Sequence, residues 1–164
     1  MSDLYVGSVA RDGGWLAAAY TAEGFDHAAV FDGIGELWTR YEESAGRIAI
    51  DVPVGLEASS TPRPNETAAR GLLGDRGDAV VPAPVRDAAK KQRYRAAARV
   101  HRRKTGTELP EAAFRSARFI AAVDEFLDAI DEARPVFFEA RPELCYLAFA
   151  GEPMADPPGI AAGY

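Results

Sequence analysis

Three short apolar runs fall within the first 31 residues, and a helical pattern and a fourth apolar run follow them. This order restricts the fold more than any other feature of the chain. "LYVGSV" (Leu4 to Val9) and "GWLAAAY" (Gly14 to Tyr20) flank "ARDGG", whose Asp-Gly-Gly favours the positive φ angles of a hairpin turn. "HAAVF" (His27 to Phe31) follows the turn-like "TAEGFD", so the three segments predict an antiparallel meander. Ile34, Leu37, Trp38 and Tyr41 then recur at i, i+3, i+4 and i+7, the apolar face of a helix, with Glu36, Arg40, Glu42 and Glu43 outside it. "RIAIDV" returns as a strand that is apolar nearly throughout, as expected of one covered on both faces. A strand reached through a crossover helix normally lies parallel to one already in the sheet.

Beyond it, "GLEASSTPRPNETAARGLLGDRGDAVVPAPVR" is rich in Pro and Gly and predicts one short helix, from about Asn65 to Leu73 with Asn65 as its cap, inside a long loop. Residues 86–104 contain no Gly or Pro and predict a helix with Asp87 near its start. After Pro110 a long helix is expected, with Phe119, Val123, Phe126, Leu127 and Ile130 on one face. "PVFFEA" predicts a fifth strand, and the tail from Gly151 to Tyr164 has no helical or strand pattern. The resulting order, β-β-β-α-β-α-α-α-β, predicts a single α/β domain over residues 1–164. It is the order of a ribonuclease H-like mixed sheet, a three-strand meander plus parallel strands, flanked by helices, although periodicity alone is compatible with other α/β folds.

Composition narrows the chemistry. Cys145 is the only cysteine, and with only His27 and His101 beside it there is no zinc quartet. No Gly-x-Ser-x-Gly and no Gly-rich phosphate loop with Lys occurs, which argues against a serine nucleophile or a nucleotide-binding loop. No run approaches the roughly 18 apolar residues of a membrane span, and the N-terminus lacks a secretory pattern, so a soluble, cytoplasmic protein with no membrane partner is expected. The net charge of −6 is unevenly distributed: residues 86–104, "RDAAKKQRYRAAARVHRRK", hold nine Lys or Arg against one Asp. That segment is the chain's one strongly cationic stretch and its candidate anion-binding surface.

Two apolar runs end on acids, "RIAIDVPVGL" at Asp51 and "VFFEARPEL" at Glu139, with Glu143 just beyond. Five blocks carry a wider similarity: "VGSVARDGGW" (Val6 to Trp15), "IDVPVGL" (Ile50 to Leu56), "RPNETAARGLLG" (Arg63 to Gly74), "VVPAPVR" (Val80 to Arg86) and "FFEARPELCY" (Phe137 to Tyr146). In this order they resemble the uncharacterised domain of unknown function family 429, which is grouped by prediction with nucleases of ribonuclease H-like fold. In the family the first strand usually carries an Asp; the corresponding place here is Val9. Asp51 matches the family's Ile-Asp-x-Pro aspartate, Glu66 keeps the acid of its Cys-Asp pair, and Glu139 and Glu143 match its Glu-x-x-Pro-Glu pattern. The tail lacks the family's usual lysine and final acidic helix, so the chain resembles a shortened or degenerate member.

The resemblance implies a divalent-metal-dependent nuclease acting on nucleic acid phosphodiesters, with catalytic Asp51, Glu139 and Glu143 and with Asp51, Glu139 and Glu66 holding Mg²⁺ or Mn²⁺. Hard cations of this kind take oxygen ligands and stabilise the attacking and leaving oxygens. Arg63, Arg70 and Arg86 lie in its arginine-bearing blocks and are candidates for substrate binding. From the charge pattern, Arg95, Arg99, Arg102 and Arg103 are candidates for phosphate contact. The alternative is a catalytically silent domain that binds nucleic acid or protein through residues 86–104, or a homo-oligomer. On that reading Asp51 is a turn-capping residue, Glu139 and Glu143 are solvated beside Arg141, and Glu66 is an acid favoured by a helix N-terminus.

Overall fold

The computed structural model describes residues 4–155. From the N-terminus the elements are β1 (Leu4–Arg11), β2 (Gly14–Thr21), β3 (Gly24–Phe31), α1 (Ile34–Tyr41), β4 (Ala45–Ile50), α2 (Pro64–Leu73), α3 (Arg86–Ala89), α4 (Tyr94–Thr105), α5 (Glu111–Arg115), α6 (Ala117–Ala129), β5 (Phe137–Glu139) and α7 (Pro142–Ala150). They form two compact units, one of residues 1–55 and 119–140, the other of residues 56–118 and 141–164.

The first unit holds the five-stranded mixed sheet, in the order β3-β2-β1-β4-β5. β1, β2 and β3 pair antiparallel, and β4 pairs parallel with both β1 and β5, which is the expected meander plus parallel strands. The β1–β2 hairpin turns on Asp12 and Gly13, whose φ angles of 42° and 94° give the two left-handed residues that a tight hairpin requires. Strand alternation sends Val6, Trp15, Ala17, Ala19, Ile48, Ile50 and Phe137 to one face, where all are buried. Here α1 buries Ile34, Leu37, Trp38 and Tyr41, and α6 contributes Ile120, Val123 and Leu127. Aromatic edges lock the layers: Trp15 meets Phe119 with ring centroids 5.6 Å apart, and Trp38, Phe126 and Phe137 all touch one another.

The second unit is helical. Val85, Ala88, Ala97, Leu109 and Ala113 form one of its apolar clusters, with Tyr94 and Phe114 packed at the edge. A second cluster, Ala69, Leu73 and Val80, receives Leu144 and Leu147 of α7.

Several boundaries differ from expectation. β4 ends at Ile50, so Asp51 lies just past the strand. α2 begins at Pro64 with Arg63 as its cap residue, not Asn65. The basic segment is not one helix but two, α3 and α4, separated by residues 90–93, and the helix expected after Pro110 divides at Ser116 into α5 and α6. α7 was not anticipated; Pro142 opens it and Gly151, at a φ of 78°, closes it. The remainder of the tail, from residue 156, on which the expectation of a missing final helix rests, lies outside the described residues.

Candidate nucleic-acid interface and strand-edge carboxylates

The parallel strands bring two acids to neighbouring strand ends in the first unit. Ser8, Ile50 and Glu139 share one row of the register, and Asp51 follows Ile50 directly. The Asp51 N–H donates to the Ser8 carbonyl at 3.0 Å, extending the ladder by one bond. Glu139 Oε2 accepts the Val54 N–H at 3.1 Å, so this carboxylate also holds the loop that leaves β4. Val9, next to Ser8, brings no acid to this edge. The C-terminal ends of parallel strands are where open α/β sheets usually bind ligands.

In the second unit Glu66 is fully buried. Its Oε1 accepts from Arg63 Nε at 2.9 Å and from the Ala83 N–H at 2.8 Å, and a terminal nitrogen of Arg141 lies 3.7 Å away. Its Oε2 accepts the Arg63 N–H at 2.9 Å. Glu66, Arg63 and Arg141 thus form an internal ion-pair cluster that pins the start of α2. Arg63 is itself only 3% exposed, and its guanidinium is directed at Glu66. Arg70 donates twice to the Val80 carbonyl, at 3.1 and 2.8 Å, tying α2 to the segment ahead of α3. Arg86 is the first residue of α3, half-buried, with its N–H bonded to the Glu57 carbonyl at 2.9 Å. Glu143 sits in the first turn of α7, where the helix dipole favours an acid.

Helix α4 presents the cationic surface. Ala97 and His101, at i and i+4, are buried, whereas Arg95, Arg99, Arg102 and Arg103 recur at i, i+4, i+7 and i+8 and are exposed. Gly106, at a φ of 75°, ends the helix and bonds back to the Arg102 carbonyl at 2.8 Å. Past this turn Glu108 reaches Arg102 at 3.0 Å. Ala98, Arg99, Arg102, Arg103 and Glu108 line a shallow, open groove of about 390 Å³. Lys104 pairs with Asp87 and holds that carboxyl below its ordinary range, chiefly by hydrogen bonding. Arg95, Arg99 and Arg103 make no ion pair with any described residue.

His101 anchors the buried side of this helix. Its Nδ1 accepts the Val85 N–H at 3.3 Å, which requires a neutral ring, and burial pushes its pKa down while Glu108 opposes the shift. The role of Glu108 was missed in the sequence, where it reads as part of the approach to the next helix. The usable signal was Gly106 directly after a basic last turn, which marks a helix end and a reversal of chain direction.

The two units differ sharply in charge. The sheet unit holds fifteen Asp or Glu against four Arg, and the helical unit fifteen Lys or Arg against ten Asp or Glu. Among the described residues, no three Asp, Glu, His or Cys side chains are grouped so as to hold a metal ion, and no helix is long and apolar enough to cross a membrane.

The fold and surface therefore define an α/β protein with two acids at the parallel edge of a mixed sheet and a separate helical unit carrying an arginine-faced helix. A family model described as "Protein of unknown function (DUF429)" matches residues 3–164, and the chain belongs to that family. No curated protein and no solved structure matches it significantly.

Proposed function

We propose that the protein binds nucleic acid by its phosphate backbone, through the exposed arginine face of α4. The observation that carries this reading is the alignment of Arg95, Arg99, Arg102 and Arg103 on one face, three of them without an ionic partner among the described residues. Eight residues of helix span about 12 Å, enough to face several phosphates in succession. The Arg102–Glu108 pair is 70% exposed on both sides and is weak enough for a phosphate to displace the carboxylate. Guanidinium groups suit phosphate because their fork of donors matches two oxygens at once.

The test is fluorescence anisotropy with single-stranded DNA, duplex DNA and RNA at several salt concentrations. Replacing all four arginines with Gln should weaken binding and reduce the slope of log K against log salt by about 3, since each lost phosphate contact contributes roughly 0.7–0.9. An unchanged slope would sink the proposal.

A second reading, favoured by the position of Asp51 directly after Ile50, the register partner of Glu139, is phosphodiester hydrolysis with Mg²⁺ or Mn²⁺. Two carboxylates suit a hard cation that draws its other ligands from water and from the phosphate itself, rather than a cage of protein ligands. When bound, such an ion would supply charge stabilisation to the phosphoryl oxygens. Glu66, with both oxygens engaged by Arg63 and Ala83, is not needed for it. Titration of Mn²⁺ into wild type and Asp51→Asn, beside a cleavage assay, decides this reading. Absence of both metal binding and cleavage in the wild type would remove it.

A further inference from the structure

The sheet has one face covered by α1 and α6, and its other face is apolar and exposed. By the register, three rows cross the meander on that side. Tyr5, Tyr20 and Phe25 form the first; Gly7, Ala18 and Ala28 the second; Val9, Leu16 and Val30 the third. β4 continues the second row with Ala49, and Phe138 of β5 lies opposite Ala49. Tyr5 is 53% exposed, Tyr20 46%, Phe25 62%, Leu16 43%, Val30 73% and Phe138 43%.

We infer that this face is the interface of a homodimer, with a second copy of the chain as its occupant. Size is the first argument. With about 200 Å² for a large side chain, these six residues leave roughly 600 Å² of side-chain surface in water, near the upper end of what a monomer usually exposes in one patch. A stable interface buries about 800 Å² per partner, which the patch and its rim would supply.

Relief is the second argument. The row of Gly7, Ala18, Ala28 and Ala49 is a trough of small residues between an aromatic ridge and an aliphatic one. A two-fold axis lying across the strands, midway between the aromatic ridge and the trough, seats the ridge of each copy in the trough of the other. Both contacts form at once, as an isologous interface requires. Arg47, aligned with Tyr5, is the only basic residue aligned with these three rows, and the sheet unit is strongly acidic. Nucleic acid would therefore be repelled from this face, whereas an apolar partner surface would not.

Sedimentation equilibrium on the full chain tests the inference. Wild type should be a dimer at tens of micromolar, and Val30→Glu should raise the dimer Kd at least 100-fold without changing the circular dichroism spectrum. Ala18→Trp separates specific seating from general stickiness: it adds apolar surface but fills the trough, so it should also yield monomer. The inference is overturned if wild type is monomeric at 100 µM, if Ala18→Trp associates as well as wild type, or if a dimer persists in both variants. Loss of oligonucleotide binding in Tyr5→Ala with a monomeric wild type would instead assign the aromatic ridge to base stacking.

Discussion

The Glu66 carboxylate is buried against the Arg63 guanidinium three residues earlier, with Arg63 Nε and a terminal nitrogen reaching the same oxygen at 2.9 and 2.8 Å. Removing one member strands a charge in the interior. Glu66→Ala should therefore cost about 3–5 kcal/mol, and Glu66→Gln, whose single amide oxygen keeps an acceptor for one of the two backbone donors but leaves the Arg63 charge uncompensated, should fall toward the lower end of that range. Urea denaturation midpoints in the presence of a chelator give the ranking. Equal stability of wild type and Glu66→Ala would show that the pair does not hold the start of α2.

Arg70 and Arg99 separate architecture from surface. Arg70 donates twice to the Val80 carbonyl, so Arg70→Gln should lose about 1–3 kcal/mol of stability with little change in nucleic-acid affinity. Arg99 lies exposed on α4, and Arg99→Gln should alter stability by no more than about 0.5 kcal/mol while weakening binding. Paired melting and anisotropy measurements check both; the opposite pattern would transfer the binding role to α2.

His101 should make the helical unit sensitive to acid. Burial keeps its folded pKa below the unfolded value of about 6.5. Below that pH the unfolded chain takes up a proton that the folded chain refuses. Stability should thus be level above pH 6.5 and fall as the pH drops through the folded pKa. A neutral replacement, His101→Gln, should flatten the melting temperature between pH 7.5 and 5.5. If its profile parallels that of wild type, the ring is not the titrating group.

The β1–β2 hairpin contains adjacent glycines with different demands. Gly13 has a φ of 94° but open space around a would-be Cβ, so Gly13→Ala should cost about 1–2 kcal/mol from backbone conformation alone. At Gly14 a Cβ would lie 2.5 Å from the Phe31 carbonyl oxygen, so Gly14→Ala must displace backbone and should cost more, about 2–3 kcal/mol. Thermal melts of the two variants test the order.

The meander was legible from its short apolar runs and the turn residues between them, and α1 from the spacing of its apolar face. Ile34, Leu37, Trp38 and Tyr41 were identified from spacing and are all buried. The break in the basic segment was hidden, since no Gly or Pro marks it. Its cause is phase: Ala88 and Ala97 are both buried in one cluster, yet nine residues in a continuous helix would place them half a turn apart. Separating α3 from α4 brings both inward. α7 was missed because "LCYLAFA" is apolar on every side and gives no periodic contrast; Leu144 and Leu147 pack against Ala69, Leu73 and Val80, while Phe149 is 90% exposed. Among the candidate site residues, the charge run picked out the α4 arginines, and they lie exposed along one side of that helix. Spacing could not show that Arg63 and Glu66 face each other, because a buried ion pair and an exposed one have the same three-residue signature.

β5 has a consequence for how the chain is made. It pairs with β4 although 86 residues separate Ile50, the last residue of β4, from Phe137, the first of β5. Residues 56–118 belong to the other unit, so they must be synthesised before the sheet can gain its fifth strand. Until then the outer edge of β4 offers unpaired backbone groups to any passing strand. Such long-range closure is slow compared with local hairpin formation. The nascent chain is therefore most exposed to mispairing after the meander has formed and before Phe137 emerges, and that interval is where a holding chaperone would act.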